Sequence, residues 1–96
     1  MSSPLQLLEQ AKAAYNNAEY KKALDILDEF LINSVSNLDE AWYLKGQIYE
    51  TPSDQRNIRK ALEAYTVLTK AYPSSPLWKG AKDRITYLEK FYFSIE

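Results

Sequence analysis

Apolar residues recur at intervals of three and four along almost the whole chain, in five blocks separated by short polar or proline-containing breaks. That spacing lines one face of a 3.6-residue helix, and no segment alternates with period two, so helices are predicted and no strand. With only two glycines and four prolines among 96 residues, the chain has little turn punctuation, which favours a few long elements. Ser3-Pro4 with Gln6 reads as an N-cap, a helix-starting proline and a capping-box partner. Leu7, Ala11, Ala14 and Ala18 form the first stripe; Tyr20, Ala23, Leu24, Leu27, Phe30 and Leu31 form the second. Asn37 with Glu40 reads as another capping box, and Ser75-Pro76 repeats the cap-then-proline start. The expected helices are 4–17, 19–33, 38–50, 57–72 and 76–92. Their short connections imply antiparallel neighbours.

Composition removes much chemistry. There is no histidine and no cysteine, so zinc sites built on those ligands, cysteine nucleophiles and histidine bases are absent. No metal and no cofactor are expected. Twelve basic against thirteen acidic residues give a net charge of −1, which offers no field for a nucleic acid. The longest apolar runs, such as Phe91-Tyr92-Phe93, are too short for membrane insertion. Asp25, Asp28 and Glu29 lie opposite the core stripe among Lys21 and Lys22, and read as a solvated face, not a catalytic pair. As written the chain carries no export signal and reads as cytoplasmic.

The chain also resembles itself. Leu7 to Trp42 spans 35 residues and Ala23 to Ala61 spans 38, close to the roughly 34-residue period of one class of helical repeat. Asp39 to Tyr49, with Trp42, Gly46 and Tyr49, resembles the first helix of a tetratricopeptide repeat. Tyr20 to Leu24 and Ile58 to Leu62 resemble second helices, and Tyr72-Pro73 resembles the closing proline. The resemblance implies one all-α domain over 1–96, a short right-handed solenoid of antiparallel helix pairs. Its parts would be repeat 1 at 4–37, repeat 2 at 38–75 with a loop insertion at 51–57, and a capping helix at 76–96. Gln10 and Lys45 stand where the family has leucine. Lys45 is expected to run its stem along Trp42 and Tyr49 to solvent, or to meet a ligand or partner. Tyr72 to Pro76 with Ala81 and Ile85 is similar to repeats of bacterial proteins that assist outer-membrane assembly or the cell-division envelope machinery. If the chain is a domain of such an exported protein, its location is periplasmic.

In that family the first helices of each pair line a concave groove. The alignment implies groove positions Lys12, Tyr15 and Asn16 in the first repeat and Tyr43, Gln47 and Glu50 in the second, with Tyr43 an anchor whose loss should leave stability little changed. The expected function is a non-enzymatic module for a protein or peptide partner. A structural or oligomerisation role is the alternative, because Leu77, Tyr87, Phe91 and Ile95 widen the apolar arc of the last helix beyond what one neighbour covers. A weak homodimer through Tyr87, Phe91 and Ile95 is therefore also expected.

Overall fold

Each apolar block becomes a helix, and the helices stack as pairs. The computed structural model describes residues 3–93. Its elements are α1 (Pro4–Asn16), α2 (Tyr20–Asn33), α3 (Leu38–Glu50), α4 (Ile58–Ala71) and α5 (Trp78–Tyr92), with no strand among the described residues. The arrangement is consistent with a tetratricopeptide-like helical solenoid: α1 packs on α2, α3 on α4, α3 also on the first pair, and α5 on α4. The result is a slab of 51 × 32 × 18 Å.

Local signals set several boundaries. The Ser3 backbone N–H donates to Gln6 Oε1 at 2.8 Å and Ser3 Oγ accepts from the Gln6 N–H at 3.2 Å, closing the capping box. Asn57 Oδ1 accepts from the Lys60 N–H at 3.0 Å and starts α4. Helix α1 stops at Asn16, short of Ala18. The Glu19 N–H bonds Ala14 O and the Ala18 N–H bonds Tyr15 O, a Schellman ending that puts Ala18 in the left-handed region at φ 61.

Other boundaries are set by partners remote in sequence. Asn37 has φ 57 and makes no capping bond; the Asp39 carboxylate takes the Glu40 N–H at 2.9 Å, while Glu40 reaches Lys12. Ser75 Oγ donates to Asp39 on α3 and accepts from the Leu77 N–H. Those two bonds hold Pro76 in a turn, so α5 begins at Trp78 and not at Pro76.

Buried alanines let the helices approach closely. Ala11, Ala23, Ala41, Ala61 and Ala81 have no exposed surface. One core gathers Leu8, Leu27, Phe30 and Ile48 from α1 to α3, and a second gathers Tyr65, Leu68, Ile85 and Leu88 from α4 and α5, with α3 serving both. At Gly46 the α4 side chain Tyr65 lies directly against the α3 backbone: a Cβ there would stand 2.5 Å from Tyr65 Cζ. Lys45 is only 15% exposed, 2.9 Å from Asp28 on α2 and 5.0 Å from the centre of the Trp42 ring. Asp28 is thus the partner of an α3 cation and not simply part of a solvated face.

Candidate functional site

Because α1 and α3 lie side by side, residues at the same helical phase face one common surface. Lys12, Tyr15 and Asn16 come from α1, and Tyr43, Leu44 and Gln47 from α3; Asn37, Pro76 and Leu77 close one end. Together they line an open groove of about 640 Å³. Five of the six positions expected from the sequence meet here.

The groove is mostly apolar wall with a few polar groups. Lys12 Nζ lies 3.2 Å from Glu40 Oε1 and 3.5 Å from Glu9 Oε2, tying α1 to α3 across the floor. The hydrogen bond that Lys12 donates to Glu40 raises the Lys12 pKa above the usual lysine value, against the smaller opposing effect of burial. Lys12 is therefore a committed cation. The carboxamides of Asn16 and Gln47 carry donors and acceptors that an incoming backbone can use.

Tyr43 has two neighbours of its own. Its ring meets Tyr65 edge-on with centroids 5.6 Å apart, and its hydroxyl would lie 3.0 Å from a Cβ on Gly80. Removing it would cost packing as well as groove surface, contrary to the expectation that stability would hardly change. Glu50, the sixth position, lines a smaller recess of about 300 Å³ next to the groove, together with Thr51 and Arg84. There its carboxylate accepts from the Tyr65 hydroxyl and from both Nε and Nη2 of Arg84. Burial first, and then the Glu50 bond and charge, push the Tyr65 phenol well above its usual pKa; the Glu50 bond likewise raises Arg84. Glu50 thus links α3, α4 and α5 and is largely spoken for.

Asp39, Glu40, Pro76 and Leu77 also line the groove, and nothing in the sequence pattern marks them as groove residues. Their placement depends on the Lys12–Glu40 and Ser75–Asp39 contacts, which join residues 28 and 36 positions apart.

On α5, Ala81, Ile85 and Leu88 are buried against α4, while Tyr87 and Phe91 remain 42% and 61% exposed with ring centroids 4.6 Å apart. Ile95 lies outside the described residues. Among the described residues no group of three or more acidic side chains could hold a metal, and no helix is long and apolar enough to cross a membrane.

Comparison with known proteins places the chain. Residues 3–92 match the profile of the YfiO family, described as an outer membrane lipoprotein. An uncharacterized protein of Treponema pallidum (strain Nichols) is 38% identical over 90 residues, covering 92% of this chain and 17% of that protein. An uncharacterized protein of Borreliella burgdorferi is 38% identical over 61 residues, covering 64% of this chain and again 17% of the relative. The chain thus spans about one sixth of the length of the curated relatives it matches. No solved structure gives a significant match. Since the family profile runs from the cap of α1 to the last residue of α5, the chain belongs to the YfiO outer membrane lipoprotein family.

Proposed function

We propose that this chain is a non-enzymatic interaction domain of a cell-envelope protein, holding a segment of a protein partner in the groove between α1 and α3. The observation that carries this reading is the meeting of Lys12, Tyr15, Asn16, Tyr43 and Gln47 on one surface of about 640 Å³. Two tyrosine faces supply apolar contact at low entropic cost, and two carboxamides suit the backbone of an extended peptide. The periplasmic side of the envelope is the location that the family description supports.

The test is site-specific photocrosslinking in envelope extracts. A crosslinker at Asn16 or Gln47 should capture a protein that the same group at Lys22, on the exposed side of α2, does not. Gln47→Arg should abolish that capture while leaving the melting temperature unchanged. Equal capture from both faces would remove the groove reading.

A second reading, association of two copies through α5, is favoured by the exposure of Tyr87 and Phe91. Light scattering on a gel-filtered sample distinguishes it: a dimer mass that reverts to monomer in Phe91→Glu supports it, and a monomer at high concentration removes it.

A further inference from the structure

The end of the molecule where α5 finishes beside the start of α4 carries an arrangement that the groove does not use. The Arg56 guanidinium donates to the Tyr92 hydroxyl and lies 5.4 Å from the centre of that ring. Arg59 lies 5.4 Å over Phe93, Lys90 5.8 Å over Phe91, and Lys60 5.7 Å over Tyr49. None of these four cations is ion-paired among the described residues; Lys22, Lys70 and Lys82 share that state but stand over no ring, whereas Lys12, Lys21, Lys45, Lys79 and Arg84 are paired. Asp54, Glu63 and Glu89 lie on the same segments without reaching any of the four at ion-pair distance.

The rings are displayed more than packing requires. Phe91, Tyr92 and Phe93 are 61%, 46% and 38% exposed, and the buried contact of α5 with α4 is made by Ala81, Ile85 and Leu88. Cation–π stacking at an exposed site is weak and does not offset leaving three large rings in water. A surface fit for this tip must supply apolar cover and anions together. These residues line neither the groove nor the recess beside it. A bilayer needs no cleft: aromatic rings settle at headgroup depth while lysine and arginine meet lipid phosphates. A second copy related by a two-fold axis would instead set these cations against their own equivalents.

We propose that this aromatic and cationic tip docks on an anionic bilayer surface, with Tyr92, Phe91 and Phe93 at headgroup level and Arg56, Arg59, Lys60 and Lys90 on lipid phosphates, without inserting a span. The family description, an outer membrane lipoprotein, is in keeping with a surface that meets lipid.

Vesicle co-sedimentation tests this with the chain as it stands. It should bind vesicles of phosphatidylcholine mixed with phosphatidylglycerol and not vesicles of phosphatidylcholine alone, and high salt should weaken the binding. Each interfacial cation contributes about fivefold, so Arg59→Glu with Lys90→Glu should lower partitioning by more than tenfold. Phe91→Ala should also lower it, Gln47→Ala should not, and circular dichroism should show every variant folded. No binding to the anionic vesicles, equal binding to both kinds, or an unchanged charge-reversal variant would overturn the proposal. Tighter capture by an oligo-glutamate peptide than by vesicles would reassign the tip to an acidic protein segment, and a dimer that buries Phe91 would reassign it to a second copy.

Discussion

Gly46→Ala sets two effects against each other, and the structure decides the sign. In an exposed helix interior, alanine is preferred over glycine by about 1 kcal/mol. At this position the added methyl would lie 2.5 Å from both Cε1 and Cζ of Tyr65 and 2.8 Å from Cδ1, nearer than carbon atoms can come. Tyr65 is fully buried, its hydroxyl is held by Glu50, and its ring is braced by Tyr43, so it has nowhere to turn. Overpacking of a well-filled core costs about 1–3 kcal/mol, and a strained or lost Tyr65–Glu50 bond adds about 1 kcal/mol. After subtracting the propensity gain, the expected loss is about 2 kcal/mol, or roughly 10 °C in Tm for a domain of this size. Thermal and urea melts of the variant measure it. Gly80→Ala is the internal control: its methyl would meet the Tyr43 hydroxyl at 3.0 Å, the end of a half-buried side chain that can give, so its melt should shift little or rise. Replacing the ring in Tyr65→Leu should remove most of the cost of Gly46→Ala in a double-mutant cycle. If Gly46→Ala instead stabilises the protein like an ordinary surface glycine replacement, the close approach of α3 and α4 at this point is wrong.

What could be read in the sequence was what neighbouring residues decide. The stripe on α4 and the Asn57 cap are both local, and the helix lies within one residue of its expected 57–72 span. The small residues Ala23, Gly46 and Ala61 announced close packing because only backbone proximity explains them at those spacings. The groove positions on α1 and α3 came from the resemblance to tetratricopeptide repeats, whose first helices line one surface, and not from the residues alone. Misplaced features depend on distant residues. Ser75 reads locally as the cap of α5, but its hydroxyl is claimed by Asp39 on α3. Tyr92 follows Ile85 and Leu88 at helical spacing, yet is 46% exposed, because α4 begins only at Ile58 and the last turn of α5 has the 51–57 loop beside it. Glu50 read as groove surface because nothing local reveals that Arg84, 34 positions later, reaches back to it.

Further substitutions test particular links between these residues and the fold. Ala18→Gly relieves the left-handed strain at the Schellman ending of α1, and should stabilise by about 0.5–1 kcal/mol in a urea melt once the extra freedom of the unfolded glycine is counted; a loss would contradict the φ of 61. Tyr65 has its phenol pKa raised by burial and by Glu50, so the folded state favours the neutral form. That stability is fully present below the ordinary tyrosine pKa of about 10 and is lost as pH rises above it. Unfolding free energy should therefore fall from about pH 10 upward, less steeply in Tyr65→Phe, and parallel profiles for the two proteins would refute the assignment. Glu50→Ala separates a structural carboxylate from the groove around it. The Glu50 side chain is 16% exposed, and its removal leaves the buried Tyr65 hydroxyl without its acceptor at a cost of about 1–3 kcal/mol. Arg84, 39% exposed, can turn to water, so its lost ion pair adds less than 1 kcal/mol. Gln47→Ala, one turn earlier on the same helix and partly exposed in the groove, should stay within about 0.5 kcal/mol of the parent. Chemical denaturation of the two variants gives the difference directly. Equal stabilities would mean that Glu50 does not join the three helices and belongs with Gln47 among the groove residues.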